Sequence, residues 1–173
     1  MSPEVWGPIM WRLLFGIAID DRVNNMRNKD ILDFFTGVVP RILPCKGCRL
    51  HALQHRETVE SRAQCRPHDS ESSIKWLYYL KDQINSDNGK RSPQLRTILS
   101  RAERSKKQSL DDVEISDLLV LIAIEMEKLQ RSQEMSALCE MIVRCAPLPA
   151  DSPLPDLLTS LQSYEVRLIL RCA

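Results

Sequence analysis

Residues 4–19, EVWGPIMWRLLFGIAI, constrain this chain more than any other stretch. Trp6, Ile9, Met10, Trp11, Leu13, Leu14, Phe15, Ile17 and Ile19 spread around the whole circumference of a helix, and after Glu4 only Arg12 is charged. A helix that is apolar on every side has to be wrapped by other elements. Pro8 is acceptable in a first turn. The stretch therefore predicts a buried central helix, and the rest of the chain must cover it.

Further helical stripes supply the cover. Ile31, Phe35, Val38, Val39 and Ile42 share one face of NKDILDFFTGVVPRIL, and Pro40 is expected to bend or end that helix. From Cys45 to about Ala63 there is no Pro, and no Gly after Gly47, which predicts one helix following Pro44. CRPHDSES, residues 65–72, reads as a turn. Ser72 or Ser73 is expected to cap a helix through IKWLYYLKDQIN that stops near Asn88 and Gly89. Residues 92–107 are predicted helical as well.

Beyond a boundary near residue 109, Asp111 or Asp112 leads into Ile115, Leu118, Leu119, Ile122, Met126 and Leu129, an amphipathic pattern, and residues 133–144 continue helical. APLPADSPLP should be an extended linker. Residues 155–171 form a last predicted helix, with Leu157, Leu161, Tyr164 and Leu168 on one face. No stretch alternates with a period of two, and there is no internal repeat. With only 5 glycines in 173 residues, the expected fold class is all-α: a four- or five-helix bundle over residues 1–108, then a helical C-terminal extension over 109–173.

A formal net charge of +1 gives no reason to expect a nucleic-acid or membrane partner. The charge is unevenly spread: residues 90–107 are basic and residues 111–127 acidic, with Lys106 and Lys107 read as a solvated run. The N-terminus lacks the pattern of a signal peptide, and no apolar run reaches the roughly 20 residues of a membrane span. A cytoplasmic, reducing location is therefore expected, where six cysteines point to metal or redox chemistry more than to a disulfide framework.

The stretch PCKGCRLHALQH, residues 44–55, admits three readings. Cys45-x2-Cys48 with Cys65-x2-His68 has the spacing of a structural zinc site, but the intervening residues favour a helix that would hold the two ends roughly 30 Å apart. A redox pair needs CxxC at a helix N-terminus, where the dipole stabilises a thiolate. Pro44, Lys46 and Arg49 suit that, but the chain offers no βαβ context, so a redox pair would need another electron acceptor such as a bound cofactor. The third reading is two buried structural thiols.

Three separated stretches together resemble the Erv/ALR family of FAD-dependent sulfhydryl oxidases. WGPIMWRLLF is similar to that family's WGxxxWxxLH, PCKGCRLH sits where the family has PCxxC, and WLYYLKDQINSDNGK resembles W-x4-HNxVNxxLGK, with Trp76, Ile84, Asn85, Gly89 and Lys90 in step. The likeness covers roughly residues 3–105. The WGP opening and the lack of a distal shuttle domain are similar to viral members, which would act in the host cytoplasm or the virion.

The resemblance implies a helical bundle that holds FAD, usually as a homodimer, and that makes disulfides in dithiol-containing client proteins with molecular oxygen as acceptor. It implies Cys48 beside the flavin, as the charge-transfer thiolate, and Cys45 as the thiol that meets the client. It implies a cofactor site drawn from Gly7, Pro8, Trp11, Phe15, His51, Trp76, Tyr78, Lys81, Asp82, Ile84, Asn85, Lys90 and Arg101, with Lys90 and Arg101 as phosphate cations. Phe15 replaces a family histidine, and Lys81-Asp82 replaces its HN pair. Lys81 is left either to stack on an aromatic ring or to point to solvent. The family's structural bridge after the Trp has no counterpart.

Other residues read more plainly. Trp6 and Trp76 suit core packing as well as a cofactor wall. His55 reads as a surface residue, and Cys65 and Cys172 as free thiols. Cys139 and Cys145 could bond only if their helix ends near Cys145.

Overall fold

A computed structural model describes residues 3–105, 112–145 and 152–162. Lys106, Lys107, Asp111, Tyr164, Leu168, Cys172, most of the proline-rich stretch and the boundary at 109 lie outside the described residues. The fold is all-α, with no strand among the described residues.

The first helix, α1 (Pro3–Ile19), is the buried axis: Met10, Leu13, Leu14, Ile17 and Ala18 are wholly shielded from solvent. The helix begins at Pro3, so Pro8 lies past the first turn rather than within it. A 3₁₀ turn (Asp21–Asn25), capped by Asp20, leads to α2 (Asn28–Leu32). Pro40 does not end the helical path. A π turn over Asp33–Val38 widens the spiral ahead of it, and α3 (Val39–Ile42) starts with Pro40 among its first residues. A proline has no N–H to give and its ring crowds the preceding turn, and the wider turn lets the chain continue.

The single helix predicted from Cys45 to Ala63 is two: α4 (Lys46–Gln54) and α5 (Arg56–Ala63), hinged at His55 with its ψ near 3°. No Gly or Pro marks the hinge. It lets Val59 and Ala63 bury while α4 stays on the cysteine side. Next comes α6 (Ser70–Asp87). Its cap is Asp69, whose carboxylate accepts the N–H of Ser72, while the Ser72 hydroxyl returns to the Asp69 backbone. Ser72 is thus the third helical residue of a capping box, and Ser73 is buried within the helix. The expected stop near Asn88 and Gly89 holds. Gly89 takes φ +67°, a left-handed angle that favours glycine and terminates α6. Then follows α7 (Leu95–Ser105).

After the acidic reversal, α8 (Asp112–Lys128) and α9 (Ser132–Cys145) are separated at Gln130, whose φ is +55°, and α10 (Leu154–Gln162) packs on both. Both α8 and α9 lie against α1. Ile115, Leu118, Leu119, Ile122, Met126, Leu138 and Ile142 join the cluster that holds Trp6, Leu13, Phe35 and Trp76. One core therefore runs across residue 108. No described helix is long and apolar enough to cross a membrane.

Candidate functional site

Leu43 and Pro44 deliver Cys45 to the N-terminus of α4 in extended conformation (φ −87°, ψ 126°). There the Cys45 sulfur takes the role of a capping oxygen and accepts the N–H of Cys48 at 3.3 Å. Both cysteines are free thiols. Cys45 is half-buried and Cys48 is buried. Burial pushes the Cys48 thiol up to about 12, and its hydrogen bond and charge interaction with Cys45 add to that. The pair is thus asymmetric: one sulfur is reachable from outside, while the other keeps its proton instead of standing as the thiolate expected at this helix end, because burial outweighs the helix N-terminus.

A cavity of about 170 Å³ opens beside the two sulfurs, bordered by Trp6, Gly7, Trp11, His51, Ile84 and Asn85, with Lys90 at its edge. An added Cβ at Gly7 would meet no protein atom within 4 Å, so the space beside this backbone is open. Lys90 is paired with Glu4 at 3.1 Å. His51 stands on the same face of α4 as Cys48, and its Nδ1 lies 3.6 Å from Asp87. His55, read as a surface residue, has its Nε2 2.9 Å from the same carboxylate, so Asp87 of α6 ties both histidines of α4 and its hinge to the bundle.

Trp11 also borders a second, larger cavity of about 530 Å³. Pro8, Phe15 and Ile98 contribute its apolar surface, and Arg12, Lys81, Arg101 and Arg104 its charge. No carboxylate is among the described residues lining it. Lys81 does not point to solvent: its ammonium sits 5.6 Å from the Trp11 ring centroid and 5.9 Å from that of Phe15. Burial, then repulsion from Arg101, holds the Lys81 ammonium below its ordinary pKa. Lys81 against two aromatic faces, with three guanidiniums lining the same cavity, is chemistry that can accept a polyanion with a flat part.

Most of the expected site residues thus line one or other of two cavities that share Trp11 as a wall. Cys45, Cys48, Gly7, His51, Ile84, Asn85 and Lys90 line the smaller cavity, Pro8, Phe15, Lys81 and Arg101 the larger, and Trp11 both. Lys90 belongs with the cysteines rather than with Arg101. Three residues do not join either lining. Trp76 is wholly buried in the core, Tyr78 packs against the Tyr79 ring, and Asp82 pairs with Arg62 at 2.6 Å. Arg12 and Arg104 were missed. Arg104 follows Arg101 by three residues, a spacing that places both on one face of α7.

Cys65 and His68 do not meet Cys45 and Cys48. The Cys65 thiol donates to the Ala63 carbonyl, and the His68 ring lies between the Arg66 carbonyl and Asp69. Among the described residues no group of three or more His, Cys, Asp or Glu side chains could hold a metal ion. Cys139 and Cys145 are both buried free thiols on α9.

Neither a family model, nor a curated protein, nor a solved structure matches the chain.

Proposed function

We propose that this protein is an FAD-linked sulfhydryl oxidase that introduces disulfide bonds into client proteins. The observation that carries the reading is the wall shared at Trp11, with a dithiol in the cavity on one side and a cluster of cations in the cavity on the other. The residues present fit the cofactor. Arg12, Lys81, Arg101 and Arg104 would hold its diphosphate, Trp11 and Phe15 offer faces for its rings, and the open backbone at Gly7 leaves room beside Cys48.

The chain's own chemistry is thiol–disulfide exchange. With Cys45 and Cys48 joined, a client thiolate attacks the Cys45 sulfur, the Cys45–Cys48 bond breaks, and the Cys48 sulfur leaves carrying the electron pair. The client's second thiolate then attacks its own sulfur in the mixed disulfide, releasing a client disulfide and the Cys45 thiolate. Two electrons now reside on the Cys45/Cys48 dithiol. When bound, FAD supplies a two-electron acceptor that can pass those electrons to dioxygen, giving hydrogen peroxide. Burial of Cys48 keeps bulky client thiols from it, which directs attack to Cys45. His51 borders the same cavity and would help to hold the cofactor there.

The deciding experiment is simple. Purified protein should be yellow, with flavin absorption bands, and should consume oxygen when given a dithiol. A colourless protein carrying one equivalent of zinc would overturn the proposal. A homodimer is part of the same reading, and sedimentation at micromolar concentration checks it.

A further inference from the structure

Two carboxylates of α8, Glu114 and Glu125, pair with cations that belong to the site. Arg49 follows Cys48 directly and is 7% exposed. A guanidinium so buried must have its donors satisfied. Its Nη1 donates to the Leu43 carbonyl at 2.6 Å and to the Pro44 carbonyl at 3.1 Å, the two residues immediately ahead of Cys45. Its Nη2 lies 3.9 Å from a carboxylate oxygen of Glu125 on α8. Lys128 holds the other oxygen of Glu125 at 3.1 Å. At the opposite end of α8, Glu114 pairs with Arg12, which lines the larger cavity. Glu114 and Glu125 are three helical turns apart and so share one face. That face meets a cation of the site near each end, and Ile115, Leu118, Ile122 and Met126 anchor the helix in the core.

We propose that α8 is a built-in part of the dithiol site: Glu125 orients Arg49, and Arg49 is a positioning residue that fixes the approach of Cys45 to Cys48. A disulfide tolerates only a narrow range of Cβ separation and torsion. The backbone at residues 43–44 decides where Cys45 sits, and Arg49 pins both carbonyls of that segment. Loosening the pin lowers the effective concentration of one sulfur beside the other, so the disulfide form loses ground to the dithiol. The assignment gives residues 112–128 a role in the dithiol chemistry. It rests on the proposed redox use of Cys45 and Cys48 but needs neither flavin nor oxygen for its test.

The test equilibrates the full-length protein with glutathione buffers, in which the protein disulfide plus two glutathione thiols exchanges with the protein dithiol plus glutathione disulfide. Trapped species are counted by mass. Glu125→Gln and Arg49→Lys should each shift the constant toward the dithiol by about threefold to tenfold, tenfold being roughly 30 mV. Glu71→Gln, which removes the distant pair with Lys75 on α6, should leave it unchanged. Glu125→Gln keeps the side-chain shape, so it reports even if Arg49→Lys fails to fold. A wild-type constant in Glu125→Gln, or an equal shift in Glu71→Gln, overturns the proposal. If the wild-type pair never forms a disulfide in any buffer, the oxidase reading falls together with it, which distinguishes the two failures.

Discussion

The sulfur of Cys45 accepts the backbone N–H of Cys48 at 3.3 Å, so one cysteine caps the helix that carries the other. The cap fixes which thiol faces outward. It also leaves Cys48 beside apolar residues rather than at the exposed first N–H groups, and burial there keeps it protonated.

The two thiols should therefore react in order. In the reduced protein, iodoacetamide near neutral pH should label Cys45 first, and Cys48 labelling should climb steadily through the alkaline range, because its thiol is pushed up to about 12. Peptide mass mapping after timed quenching checks this. In the oxidase reading, Cys48→Ser should retain flavin yet lose dithiol-driven oxygen consumption; undiminished turnover would mean that another thiol carries the electrons.

The cations of the larger cavity should govern cofactor affinity. Lys81→Met and Arg101→Met should each weaken FAD binding by about tenfold, the scale of one charge-assisted hydrogen bond. Burial holds the Lys81 ammonium below its ordinary pKa, so its charge is lost earlier as pH rises, and affinity should fall with it. Lys81→Arg should keep its affinity to higher pH. Flavin fluorescence titrations at several pH values measure both effects, and identical profiles for wild type and Lys81→Arg would contradict the assignment.

The buried Cys139 thiol sets an alkaline limit. Its pKa is pushed by burial to about 12, above the unfolded value of 9.0. Between those values the unfolded chain has released the proton while the folded one retains it, so stability declines as pH rises through this window. In reducing buffer, urea midpoints of Cys139→Ala should decline less steeply above about pH 9 than those of wild type. Parallel slopes would show that Cys139 does not contribute.

At the other end of α6, the capping box should report in acid. Asp69→Ala should cost about 1 kcal/mol at neutral pH. The Ser72 hydroxyl and N–H hold the Asp69 carboxyl below its ordinary pKa. Its contribution is therefore complete above the ordinary aspartate range and disappears as pH falls through the lowered value. Denaturation midpoints of wild type and variant should converge as pH falls through that lowered value.

The all-α architecture was readable because α1, α6 and α8 carry continuous apolar faces and because Gly89 marks a left-handed stop. The hinge at His55 was not readable: the packing of Val59 and Ala63 makes it, and no local residue does. Asp69 and Ser72 are both good caps three residues apart, so only the folded partners decide which one starts the helix. The cysteine end of the site was visible as a motif. Arg104 and Glu125 were not, since each meets its part of the site only after α7 and α8 fold against α1.

The π turn at Asp33–Val38 acts as a phase setting for the dithiol. Each residue of an ordinary helix advances the chain by about 100°, so the phase of the helical path determines the direction in which Ile42, Leu43 and Pro44 leave the core. The widened turn takes one more residue for nearly the same rotation, so losing one residue there would restore an α spiral and leave the downstream phase close to what it is. Cys45 would still start its helix on the cavity side, whereas the same loss within α3, where no widened turn can absorb it, would swing that start by about 100° with every residue of the site still present in the chain.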